Sequence, residues 1–192
     1  MKRFLIILLI FPSIVFAGNN DIKKSGFLKK LISTKVDKLE ITDPKNKIII
    51  IFNHGQPSND VKKKNKCTWI SNVRNMASLI GEKINNKEIM VYNFCTNHLE
   101  GDQMSEKYPL YHKKYVGPYK GKHKLEKRVD ANIKLIEQLI GMGVPKKQII
   151  ITGHSCGGLV TLMLFAKYPN AAGGGISFNQ ACFGKISKKE KA

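Results

Sequence analysis

The chain carries little negative charge. It has 14 Asp and Glu residues against 33 Lys and Arg residues, which gives a formal net charge of +19. A charge of this size permits nucleic acid, an anionic membrane surface or an acidic polymer as a partner. No RNA- or DNA-binding motif accompanies the lysines, which are scattered among Asn and Ile residues, so no nucleic-acid partner is expected. We interpret most of the charge as solvated surface.

Metal-binding spacings are also absent. The chain has four cysteines and five histidines, but no C-x-x-C or H-x-x-x-H unit. Zinc sites are typically built from such closely spaced pairs of ligands. The sequence therefore predicts no metal site, and it offers no motif for a cofactor.

Long apolar runs are scarce. The one extended run, Phe4–Phe16, is interrupted by Pro12 and is too short to span a bilayer. It follows the basic pair Lys2 and Arg3 and ends beside the small residue Ala17, which is the pattern of a cleaved signal peptide over residues 1–17. No cysteine follows the cleavage point, which argues against a lipid anchor there. We expect a soluble, exported protein, periplasmic or secreted.

Three further segments follow the signal peptide: a polar lead over residues 18–37, a domain over residues 38–184 and a polar tail over residues 185–192. The lead has four apolar residues at the spacing of one face of a short helix, namely Phe27, Leu28, Leu31 and Ile32. Packing of this helix on the domain is the favoured interpretation. Contact with a membrane surface is the alternative, and so short a helix is weak support for it.

Apolar β-branched runs alternate with segments of helical spacing through the domain. Strands are predicted over residues 39–41, 48–52, 88–95, 148–152 and 175–178, and helices over residues 69–80, 125–140 and 159–167. Strands that alternate with helices indicate parallel β-α units. The predicted fold class is α/β, a three-layer α/β/α sandwich with a mostly parallel sheet.

Residues 96–123 break this alternation. The segment is rich in Tyr, Lys and His, and a connection of this length is often functional. Its aromatic and cationic residues fit a substrate groove, and they fit equally well a surface excursion that covers the core. The residues are Tyr108, Tyr111, Tyr115, Tyr119, His98, His112 and His123.

The most informative motif is the run Gly153-His154-Ser155-Cys156-Gly157. It reads G-x-S-x-G, follows a predicted strand and precedes a predicted helix. This layout is that of a nucleophile elbow, in which a serine sits at a tight turn between flanking glycines. The pattern alone is common in ordinary turns, so its specificity comes from the strand before it and the helix after it.

The run Gly143–Gly158, together with Lys47–Gln56, resembles the α/β-hydrolase superfamily, in its esterase, lipase and dienelactone-hydrolase region. The resemblance spans about residues 38–184. It implies that Ser155 is the nucleophile and that the backbone N–H groups of Gln56 and Cys156 form the oxyanion hole. It also implies that His54 and Gly55 shape the oxyanion loop.

The family's pattern is incomplete, because its chain order is serine, then an acid, then a histidine. Beyond Ser155 the chain has no Asp and no His, and Glu190 is the one carboxylate side chain. All five histidines, His54 and His154 among them, precede the serine. The favoured explanation is a truncated hydrolase, because Ile176–Cys182 resembles the sixth strand and the last strands are lacking. A binding module that has lost catalysis is the second explanation, and catalytic groups from an unusual position or another chain are the third.

The resemblance also bears on the cysteines. It places Cys67 and Cys95 near each other, so a disulfide between them is predicted, which export would permit. Cys156 and Cys182 are then either a second pair or buried thiols. Cys156 is not the expected nucleophile, because Ser155 occupies the central position of the elbow.

Together these features predict an exported serine hydrolase that cleaves a carboxylic ester or related acyl bond in a small-molecule or polymer substrate. The alternative is a non-catalytic hydrolase-fold protein that binds an anionic or carbohydrate ligand. The sequence predicts neither the substrate nor the oligomeric state, since a fold supports many functions.

Overall fold

The computed structural model describes residues 25–29, 34–35, 39–55, 70–95 and 124–180. The strands in these ranges are β1 (Gly26–Leu28), β2 (Thr34–Lys35), β3 (Lys47–Asn53), β4 (Lys83–Ile84), β5 (Lys87–Phe94), β6 (Ile149–His154) and β7 (Gly174–Phe178). The α-helices are α1 (Ile70–Ala77), α2 (Lys124–Gly141) and α3 (Cys156–Lys167). Short 3-10 turns precede β3 and β6, at Pro44–Asn46 and Lys146–Gln148.

The strands form one mixed sheet in the order β2-β1-β5-β3-β6-β7. Strand β4 lies outside this order and pairs with the same edge of β5 as β1 does. Strand β3 lies at its centre and pairs in parallel with β5 and β6, so that Ile50 lies opposite both Val91 and Ile150. Strand β7 continues the parallel set beyond β6. The pairings of β1, β2 and β4 are antiparallel.

Successive side chains of β3 enter two separate cores, because residues along a strand alternate between its faces. Ile49 and Ile51 pack with α2 and α3 on one face of the sheet. Ile50 and Phe52 pack with Val73 of α1 on the other. A sheet covered on both faces explains why β3 is continuously apolar. The predicted three-layer α/β fold with a mostly parallel sheet is confirmed.

The first strand corrects the prediction of a short helix in the lead. Phe27 and Leu28 lie in β1, and they pack against the cores on opposite faces of the sheet. Phe27 meets Tyr92 of β5 edge to face, with ring centroids 5.3 Å apart. The helix prediction was wrong because pairing with β5, distant in sequence, decides the local structure, and apolar spacing over so few residues does not.

The predicted strand over residues 39–41 is also absent from the structure. Leu39 and Ile41 are half-buried against the α2-side core without strand pairing. The run ends at Asp43, which has a left-handed φ of 52°, and Pro44 then begins the 3-10 turn. The remaining predicted strands and helices are present, with ends shifted by a few residues. In the described parts of the chain, no helix has the length and apolar character needed to cross a bilayer.

Candidate active site

Ser155 is the single residue between β6, which ends at His154, and α3, which begins at Cys156. Its backbone has φ 54° and ψ −121°, a conformation that residues with a Cβ rarely adopt. Hydrogen bonds of its backbone help to hold it: the Ser155 N–H donates to the Phe178 carbonyl at 3.0 Å, and the Leu159 N–H donates to the Ser155 carbonyl at 3.1 Å. The predicted strand, strained serine and helix therefore occur in that order.

The glycines on either side of Ser155 are sterically required. A Cβ on Gly153 would lie 2.2 Å from the carbonyl carbon and oxygen of Gly157. A Cβ on Gly157 would lie 2.0 Å from the carbonyl oxygen of Asn53, at the end of β3. These glycines let the start of α3 lie directly against the ends of β6 and β3, a closeness that no side chain would allow.

The predicted oxyanion segment lies beside the serine. A Cβ on Gly55 would be 3.1 Å from the Ser155 Cβ and 3.2 Å from the His154 carbonyl oxygen. The structure thus brings together Gly55 and Ser155, which the sequence places far apart. Cys156 begins α3 and is 3% exposed. At the N-terminus of a helix, the N–H groups of the first turn have no partner within the helix, and the helix dipole is positive there. Both features attract negative charge.

His54 is fully buried in the segment that leads to Gly55. Its Nδ1 lies 2.5 Å from the Gly55 carbonyl oxygen, and its own carbonyl accepts a hydrogen bond from Arg128 Nη2 at 2.6 Å. Because a carbonyl oxygen only accepts, Nδ1 carries the hydrogen in this contact. His154 is half-buried, and its Nδ1 would be 3.5 Å from a Cβ on Gly55.

Several predicted site residues lie outside the described residues. They include Gln56, the predicted second oxyanion donor, as well as Cys67 and the segment over residues 96–123 with its three histidines. Neither Cys95 nor Cys156 is a free thiol, and both are buried. Since Cys67 and Cys182 are not described, the pairing of Cys67 with Cys95 stays a prediction.

Three buried polar residues lie near this site and were not predicted from the sequence to belong to it. Asn53 and Asn132 are fully buried, and Arg128 is 1% exposed. A signal was present, because Arg128 and Asn132 lie four residues apart on α2, among the apolar residues that face the core. Polar side chains in such positions are uncommon and must find hydrogen-bond partners.

Two side chains elsewhere in the fold, those of Tyr92 and Lys167, have shifted pKa values. Burial raises the pKa of the Tyr92 phenol above its usual range, and a hydrogen bond with Ser25 opposes this in part. The Lys167 ammonium at the far end of α3 has a raised pKa, mainly through its hydrogen bond with Tyr168. The described residues contain no group of three or more His, Cys, Asp or Glu side chains that could hold a metal ion.

A strained serine at a strand-to-helix elbow, set against a Gly just beyond the end of the central strand of a mostly parallel sheet, defines the α/β-hydrolase class. The chain belongs to the phospholipase/carboxylesterase family of ester-bond hydrolases, whose family model matches residues 36–192.

One solved structure similar to this chain is a phospholipase/carboxylesterase from Dyadobacter fermentans DSM 18053. It is 14% identical with a TM-score of 0.48, and the match covers 86% of this chain and 64% of that one. The chain therefore spans less than two thirds of the length of that structure. A comparison with curated proteins finds no match.

Proposed function

We propose that this protein is an exported serine hydrolase in which Ser155 attacks the carbonyl carbon of a carboxylic ester or related acyl bond. The observation that carries the proposal is the backbone of Ser155, held at φ 54° and ψ −121° between glycines that accept no side chain. Strain of this kind costs about 1–3 kcal/mol and persists where the surrounding structure enforces it. In this conformation the side chain of Ser155 lies at the N-terminus of α3 and beside Gly55.

The proposed chemistry is acyl transfer to the serine. As the Ser155 Oγ bonds to the carbonyl carbon, its proton passes to a base and the carbonyl oxygen becomes an oxyanion. When the carbonyl re-forms, the bond to the alcohol oxygen breaks, the alcohol leaves with that proton, and water then hydrolyses the acyl-serine to the free acid. The proposed donors to this oxyanion are the backbone N–H groups of Cys156 and Gln56. Such donors act because they are already oriented when the negative charge develops.

The test is covalent labelling of the purified protein with a fluorophosphonate, which reacts with activated serines. We expect labelling of the wild type and loss of labelling in Ser155→Ala. Ser78→Ala is the matched control, because Ser78 is exposed on a turn after α1. Labelling that survives in Ser155→Ala, or is equally lost in Ser78→Ala, would contradict the assignment.

The second candidate is a non-catalytic protein that binds an anionic or carbohydrate ligand. The net charge of +19 favours it, because a strongly cationic surface attracts anionic ligands. A wild type that resists the probe but retains a polyanion or oligosaccharide on an affinity column would support this candidate. The proposed ester substrate is a small molecule or a polymer.

A further inference from the structure

A buried polar cluster joins helix α2 to the end of strand β3, directly before Gly55. It consists of Asn53 and the His54 carbonyl on the strand side, and Arg128 and Asn132 on the helix side. Arg128 Nη2 donates to the His54 carbonyl at 2.6 Å. A hydrogen bond from a charged donor is roughly twice as strong as a neutral one, and burial protects it from competing water.

The two asparagines form a reciprocal amide pair. Asn132 Nδ2 donates to Asn53 Oδ1 at 2.9 Å, and Asn53 Nδ2 donates to Asn132 Oδ1 at 3.1 Å. Asn132 Nδ2 also donates to the Arg128 carbonyl at 2.8 Å, one turn earlier on the helix. Helix α2 therefore holds two consecutive residues at the end of β3. Asn53, the last residue of the strand, is held by its side chain, and His54, the next residue, is held by its main chain.

These contacts fix the direction of a particular peptide plane. A trans peptide is planar, with its C=O and N–H pointing in opposite directions. Because Arg128 holds the His54 carbonyl, the plane of the peptide between His54 and Gly55 cannot rotate freely. That peptide lies against the elbow, since a Cβ on Gly157 would be 2.8 Å from the His54 carbonyl oxygen.

We propose that Arg128 and Asn132 are positioning residues that fix the His54–Gly55 segment beside Ser155. This inference rests on the proposed function, because an oriented segment matters only if an oxyanion forms there. Neither side chain need touch the substrate. Donors of an oxyanion hole must be placed within a few tenths of an ångström, and displacement by about 1 Å costs on the order of a hundredfold in rate.

The experiment uses the full chain and three variants of α2. Arg128→Met removes the charged donor, Arg128→Lys keeps a cation that can donate, and Asn132→Leu removes the amide pair at similar volume. Gln138→Leu is the control, because it makes the same kind of amide-to-apolar change at an exposed position of the same helix. Each variant is labelled with the fluorophosphonate over a range of concentrations, and its unfolding is measured in urea.

We expect the limiting labelling rate at saturating probe to fall about tenfold or more in Arg128→Met and Asn132→Leu. The probe concentration for half-maximal rate should change much less, Arg128→Lys should recover most of the rate, and Gln138→Leu should match the wild type. A purely structural role predicts a different result, in which the variants are less stable but the folded fraction labels at the wild-type rate. That result would overturn the proposal.

Amide hydrogen exchange separates this outcome from failure of the proposed function. In Arg128→Met and Asn132→Leu, peptides containing Phe52–Gly55 should exchange faster than in the wild type, while peptides from β5 should not change. Unchanged exchange at Phe52–Gly55 overturns the positioning role whether or not the protein reacts with the probe. A wild type that does not label at all contradicts the proposed function, and with it the catalytic purpose of the cluster.

Discussion

Ser155 and its neighbouring glycines show how single residues are constrained by atoms distant in the sequence. The positive φ of Ser155 is unfavourable for any residue with a Cβ. The carbonyl of Asn53 leaves no room for a side chain at Gly157. The residues that the elbow accepts are therefore limited by the space that neighbouring segments leave, as well as by local turn preference.

A substitution of Gly157 tests this constraint. Gly157→Ala should lower the free energy of unfolding by about 2 kcal/mol or more, because overpacking typically costs 1–3 kcal/mol and the clash is with backbone. Gly141→Ala is the matched control, since Gly141 is also helical and has no atom within 4 Å of its added Cβ. It should be neutral or stabilising by up to about 1 kcal/mol. Urea unfolding of both variants measures the difference, and equal stabilities would refute the packing argument.

Helix α3 shows how one element combines the elbow with the core. It begins at the elbow, and its buried side chains, Val160 and Leu164 among them, belong to the core that α2 also enters. The sequence predicted a helix here from its apolar composition, but it placed the start at Leu159. In the structure α3 begins earlier, at Cys156. Its first turn contains Gly157 and Gly158, which lie in close contact with the ends of β3 and β7.

Two leucines on α3 test which of its faces stabilises the fold. Leu164 is fully buried, whereas Leu162 is 45% exposed. Leu164→Ala should lower the free energy of unfolding by about 2–5 kcal/mol. Leu162→Ala, the same change two residues earlier, should stay within about 0.5 kcal/mol of the wild type. If the two variants lost stability equally in urea, the assignment of the buried face would be wrong.

For the molecule as a whole, the fold and the family are established, whereas export remains a proposal. Strands β1 and β2 join the sheet although both lie in the predicted polar lead. The sequence could not place them, because short strands carry little periodic signal and β5, with which β1 pairs, lies far along the chain.

If the protein is exported, its mass in the native host should be that of a chain without the signal peptide. We expect the recovered chain to begin at Gly18, after removal of the signal peptide, and a truncated hydrolase predicts that the native product extends beyond Ala192. Intact-mass spectrometry with identification of both terminal peptides measures the two ends together. A chain that retains Met1 would contradict cleavage, and one that ends at Ala192 would favour the binding protein over the truncated enzyme.

The predicted disulfide is tested separately. Digestion without reduction should recover the peptides of Cys67 and Cys95 joined.

The sequence by itself determined the alternation of strands and helices, the buried central strand and the elbow around Ser155. These features depend on local signals, namely apolar periodicity and the glycines of a tight turn, which can be read from neighbouring residues. Only the tertiary structure decided that Phe27 lies in a strand and that Arg128 and Asn132 hold the end of β3. Each of these depends on contacts between distant segments, and the chemical identity of one residue does not specify its distant partner.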